Sequence, residues 1–221
     1  MRTLRRLLAC ALLFAFLVAS ASALATHQDP QERLTKADNA RARAMLVKRT
    51  DLPAGFRPQL STGADPHVDC SASVSESDLT LTGDAEGQQL ALGVTFVSSA
   101  ARIYESVADA SVSWRRSTST AGTTCATQVL RREFAKQGVS LVSLRKVAFP
   151  RVAERSVAYR VELSAMTAQG TAPVFVDIVA LQRSRSQATV IVGSALVPPQ
   201  RAEELRLARI VAKRMATAMR G

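Results

Sequence analysis

The chain has 221 residues, with 29 Lys and Arg against 18 Asp and Glu, and a formal net charge of +11. Aromatic residues make up 5% and do not alternate with the basic ones, so the stacking platforms of a nucleic-acid binder are lacking. There is no G-x-S-x-G, no Walker loop and no G-x-G-x-x-G, and only two histidines, His27 and His67. A Ser-His-Asp hydrolase and a nucleotide cofactor are therefore unsupported.

Arg2, Arg5 and Arg6 precede an uncharged apolar run over 7–18 and a small-residue stretch ending in Ala23-Leu24-Ala25. That order predicts a secretory signal peptide over 1–25, cut before Thr26. Left uncut, residues 7–25 are just long enough to span a bilayer, so any membrane attachment runs through that segment alone. Cys10 precedes most of the apolar core, which argues against lipidation. Either way residues 26–221 are expected outside the cytoplasm, secreted or associated with the cell envelope. They suffice for a single domain, and their charge is +8 once the three arginines are removed. Cys70 and Cys125 then remain and are expected to form one disulfide. Closing that loop of 56 residues would contribute about 4 kcal/mol on the chain-entropy model.

Taken in order, Asp29-Pro30-Gln31-Glu32 and Thr35-Lys36-Ala37-Asp38 offer two helix starts. Leu34, Ala37, Ala40, Ala44 and Val47 form a stripe at helical spacing. Asp51-Leu52-Pro53-Ala54-Gly55-Phe56 stops the helix. Residues 56–76 read as a loop. A strand around Leu79 and Leu81 leads into a turn at Gly83-Asp84-Ala85-Glu86-Gly87, and a second strand covers 90–97. A helix over 105–116 carries Ile103, Val107, Ala110 and Trp114 on one face, and Trp114 is expected in the core. A helix over 123–137 carries Ala126, Leu130 and Phe134, and Gly138 closes it.

Residues 139–149 return to strand, and 150–155 form a charged loop. Val157, Tyr159, Val161 and Leu163 then alternate with Ala158, Arg160, Glu162 and Ser164. The central stretch is 171–195. Its two runs, rich in β-branched residues on both parities, read as strands covered on both faces, separated by a solvated polar segment at 182–187. Either Arg160 or Glu162 lies across from Asp177. Pro198-Pro199 precedes a long helix over 200–220, with Leu207, Val211, Met215 and Ala218 inward and Arg206, Arg209, Lys213 and Arg220 outward. The expected class is α+β, an antiparallel sheet of about five to six strands packed against helices.

Several segments together resemble a known family. They are the basic amphipathic helix, Leu52-Pro53-Ala54-Gly55-Phe56, Cys70, Asp78-Leu79-Thr80, the strand through Val97-Ser98-Ser99-Ala100, the helix bearing Trp114, and Cys125. In this the chain is similar to secreted actinobacterial sensor-like domains. Those include the extracellular domain of a mycobacterial serine/threonine kinase and related lipoproteins. The resemblance implies an α/β sandwich similar to the PsbP-like fold, and carries no catalytic motif. The extracellular sensor domain of that kinase has two disulfides where this chain can form one.

Two constellations invite chemistry. Asp65, His67 and Asp69, if extended, project to one side as metal ligands could, but no further acid or histidine cluster accompanies them. A Glu162–Asp177 carboxylate pair would lack aromatic platforms, and a salt-bridged sheet face with Arg160 is the better expectation. The expected function is a non-enzymatic binding or sensor-like domain for an unknown small ligand or anionic envelope component, with no metal or other cofactor. The alternative is envelope association through a basic surface, for which Arg206, Arg209, Lys213 and Arg220 are the candidate contacts. A hydrolase with an unrecognised site ranks third.

Overall fold

The computed structural model describes residues 30–59, 75–168 and 170–220. The expected central hairpin is formed by β8 (Gly170–Arg183) and β9 (Ser186–Ala195). Val176, Ile178, Val179, Leu181, Val190, Ile191 and Val192 are all buried. Odd and even positions of β8 are both covered because helices lie on both faces of the sheet.

On one face, α1 (Lys36–Met45) and α4 (Arg201–Ala218) pack Ala42, Met45, Leu207, Val211 and Met215 against Ala158, Val179, Leu181, Val190 and Val192. On the other, α3 (Thr120–Lys136) packs Leu130 and Phe134 against Phe96, Val161, Ile178 and Ile191. Beside it α2 (Val107–Thr118) sets Trp114 on Val157 and Tyr159. The result is an α+β arrangement of three layers with a continuous core on each side of the sheet.

The sheet has nine strands rather than five or six, and it is mixed. The remaining strands are β1 (Gln31–Glu32), β2 (Arg57–Gln59), β3 (Thr80–Glu86), β4 (Gln89–Leu92), β5 (Thr95–Tyr104), β6 (Val139–Val147) and β7 (Arg155–Thr167). Their order is β1-β3-β5-β9-β8-β7-β6, with β4 pairing both β5 and β2. Only β1 and β3 run parallel; the other pairs are antiparallel.

Three readings account for the difference in count. Gln31-Glu32, read as a helix start, lies in β1. Residues 57–59, read as loop, pair with β4. The single strand expected at 90–97 is folded into β4 and β5 at Gly93, whose φ of 61° suits glycine. The turn expected at residues 83–87 is strand through Glu86, with a register shift at Leu81/Gly83.

Helix α1 starts at the second of the two signals, with Thr35 Oγ1 accepting from the Asp38 N–H. Its buried side is Asp38, Ala42 and Met45; Ala37, Ala40 and Ala44 are exposed, as is Leu34. The stripe is displaced because an ion pair draws Asp38 inward. The segment 182–187 is not a solvated linker. Arg183 pairs with Ser186 across a two-residue turn at Ser184-Arg185, and Gln182 and Ser186 are buried. Arg185 reaches Asp38 with two contacts of 2.8 Å.

At the β6 edge, a register shift at Leu141/Ser143 leaves Val142 out of the pairing and 63% exposed. That bulge, with Arg145 and Lys146 following, blunts an otherwise open edge. The expected signal peptide, His27, the Asp65-His67-Asp69 group and Cys70 lie outside the described residues. Cys125 is a bonded half-cystine. Cys10 and Cys70, the other two cysteines, lie outside the described residues, so no disulfide has both sulfurs among them.

Gly193 faces Phe96 across the β5–β9 pair, and a Cβ there would collide with the Phe96 ring. Gly193→Ala is expected to cost about 1–3 kcal/mol by overpacking. That should lower Tm by several degrees in a thermal melt. An unchanged Tm would show that this side of the core is loosely packed.

Candidate binding pocket

A pocket at the β8–β9 turn end of the sheet is lined by residues of α2, β6, the loop at 148–154 and the start of β7. Helix α2 is capped by Ser106, whose Oγ accepts from the Asp109 N–H at 3.0 Å. Ala110, Ser113 and Trp114 make its buried side, so the indole lands on the outer part of β7. Strand β6 brings Lys146 directly across from Tyr159. The loop at 148–154 is folded back by Ser156, whose Oγ accepts from the N–H groups of Val152 and Ala153 at 3.1 and 3.2 Å.

An open pocket of ≈ 450 Å³ results, lined by Trp114, Thr118, Lys146, Arg151, Glu154, Arg155, Ser156 and Val157. This is within the size range of small-ligand sites. Trp114 is 9% exposed. It is therefore a core residue, as expected, and also a pocket wall.

Lys146, Arg151 and Arg155 take part in no ion pair among the described residues. Glu154 is already engaged, accepting from the Ser184 N–H at 2.9 Å. That bond fixes the loop to the hairpin turn, where Ser184 has a φ of 51°. Three cations against one carboxylate beside an apolar wall leave a net positive charge that attracts an anion. Beneath the pocket wall, Tyr159 is buried, its Oη has no hydrogen-bond partner among the described residues, and burial pushes its phenol up from the usual range.

A second polar cluster lies on the opposite face, under the first turn of α4. The register places Arg160, not Glu162, across from Asp177. Arg160 donates from Nε to Asp177 Oδ1 at 2.7 Å and from Nη2 to Oδ2 at 2.5 Å. Glu162 accepts from Arg145 at 3.0 Å. The carboxyl neighbour of Asp177 is instead Glu204 of α4, and both are fully buried.

Arg201 donates to Glu204 Oε2 at 2.9 Å and stacks 4.4 Å from the Phe149 ring centroid. Glu204 Oε1 has no hydrogen-bond partner among the described residues and lies 3.9 Å from Arg160. Burial, and then the Asp177 carboxylate, push the Glu204 carboxyl up to about 7, against the pull of Arg201. A third cluster joins Tyr104 Oη to Ser113 Oγ at 2.8 Å and to Glu76 at 3.3 Å. All three of its residues are buried.

The outward residues named on the last helix do not converge. Arg206 is turned back, donating to Glu203 and to the Asp51 carbonyl at 2.6 Å. Arg209 and Lys213 are exposed. Arg220 donates to the Ala216 carbonyl at 3.0 Å. Lys146, Arg151, Arg155 and Tyr159 were not singled out from sequence. The available signal was the pair of arginines bracketing Glu154 in a loop that begins with Pro150.

Among the described residues no group of three metal-ligating side chains is arranged to hold an ion. No described helix is long and apolar enough to cross a membrane. Compared with known proteins, the chain matches no family model and no curated protein.

Glu204 gives stability a pH dependence of known sign. A glutamate in the unfolded chain ionises near 4.5, and the folded one near 7. Between those values the folded protein keeps a proton that the unfolded chain has lost, so stability falls as pH rises. The expected loss is on the order of 2–3 kcal/mol. Thermal melts from pH 4.5 to 8 should show it, and Glu204→Gln should flatten the slope. An equally steep slope in that variant would remove Glu204 as its source.

Proposed function

We propose that this chain is an exported, non-enzymatic binding domain that holds an organic anion in the Trp114 pocket. One observation carries the reading: Lys146, Arg151 and Arg155 line the same concavity as an indole wall and have no ion-pair partner among the described residues. The three cations exceed the one carboxylate of the lining, Glu154, so the concavity carries a net positive charge that favours an anion. The acid group of the ligand sits among the three cations, and its apolar part lies against Trp114 and Val157. The resemblance to secreted sensor-like domains supports the same reading. So does the half-cystine at Cys125, which we assign to a Cys70–Cys125 bond formed after export and removal of residues 1–25.

The alternative, association with an anionic envelope surface through Arg206, Arg209, Lys213 and Arg220, is less well supported. Arg206 is tied inward, and only Arg209 and Lys213 are both exposed and unpaired among the described residues.

The test uses 2-naphthoate, followed by calorimetry or NMR titration. Saturable binding at one site is expected. The triple variant Lys146→Ala/Arg151→Ala/Arg155→Ala should weaken it at least tenfold, about 1.4 kcal/mol. Arg209→Ala/Lys213→Ala should leave it unchanged. Equal loss in both variants would favour a diffuse basic surface. No saturable binding of either 2-naphthoate or inorganic phosphate would overturn the pocket reading.

A further inference from the structure

Tyr159 is the one pocket neighbour whose chemistry neither the fold nor the cation cluster uses. It is 8% exposed, and its hydroxyl is buried without a hydrogen-bond partner among the described residues. An unsatisfied buried hydroxyl costs about 1–3 kcal/mol, and a phenyl ring would fill the same space without that cost. Such a group calls for a partner that arrives from outside the fold.

Its surroundings say where that partner comes from. Tyr159 packs with Trp114 and Val157, and both line the pocket. Lys146, a third lining residue, is its direct cross-strand neighbour and is exposed. The phenol thus shares three neighbours with the pocket and lies on the same face of the β6–β7 pair.

Resting on the anion-binding reading above, we propose that Tyr159 is a specificity-determining residue at the inner end of the pocket. It selects flat organic acids that carry an oxygen acceptor distant from the acid group. The acid end is held by Arg151, Arg155 and Lys146. The flat body lies along Trp114. The distal oxygen takes the hydrogen of the Tyr159 hydroxyl. The hydroxyl is paired only in the complex, so the free protein bears the cost of its burial and the bound one recovers it. A ligand without the oxygen leaves it unpaired, and it is this difference that discriminates.

The experiment compares 2-naphthoate with 6-methoxy-2-naphthoate, whose ether oxygen accepts but cannot donate. The wild-type chain should bind the methoxy acid about five- to tenfold more tightly, the worth of one hydrogen bond. Tyr159→Phe should abolish that preference, leave 2-naphthoate affinity unchanged, and keep Tm the same or raise it. A preference that survives Tyr159→Phe, or no preference in the wild type, would overturn the inference. So would a clear fall in Tm, which would give the hydroxyl a structural partner. If neither acid binds saturably, the pocket reading falls and this inference with it. If both bind but without preference, only this inference falls.

Discussion

The tip of the β8–β9 hairpin holds the layers in register, and it does so through one guanidinium. Arg185 donates to both Asp38 carboxylate oxygens at 2.8 Å, to Thr82 Oγ1 at 3.1 Å and to the Tyr104 carbonyl at 2.9 Å. It joins the central hairpin to α1, β3 and β5 at a single point. The Arg185 hydrogen bonds hold the Asp38 carboxyl well below the usual carboxylate range, and burial opposes them. Asp38 therefore contributes stability above the pKa of an unfolded aspartate and loses it as pH falls. Breaking one side of a buried pair costs about 3–5 kcal/mol, because the other charge is stranded.

The same tip fixes the other face. Gln187 donates to the Ala110 carbonyl at 2.8 Å, and Gln182 to Ser111 Oγ at 3.4 Å, so α2 is bonded to both strands of the hairpin. Glu154 accepts from the Ser184 N–H, which anchors the loop bearing Arg151 beside the start of β7 at Arg155. Two of the elements that build the pocket, α2 and the loop at 148–154, are thus bonded to this hairpin. The pocket's wall, Trp114, rides on α2; its cations ride on β6, the loop before β7 and the first residue of β7. A concavity built in this way is preformed, which lowers the ordering cost of binding.

The core was legible in the sequence, and the polar contacts were not. β-Branched residues on both parities of 171–195 predict double coverage, and Val179 with Ile178 buried on opposite faces is its direct expression. The Leu207, Val211 and Met215 stripe likewise packs where its spacing says. Segments containing buried charge were misread. The apolar stripes read from spacing omit Asp38 in α1 and Glu204 in α4, because a carboxylate is ordinarily solvated. Only long-range partners bring them in: Arg185 for Asp38, and Asp177 with Arg201 for Glu204. The polar run 182–187 failed for the same reason. The pocket cations come from β6, the following loop and the start of β7, and no local pattern announces that they line the same concavity as one indole.

Amide hydrogen exchange tests this account most directly, since it depends on the hairpin being sealed on both sides and locked at its tip. The amides of Val176 to Leu181 and Val190 to Val192 should exchange slowest in the molecule, near the global unfolding limit. Rates there matching those of the β6 edge or of α1 would contradict a doubly covered hairpin as the element on which the layers and the pocket depend.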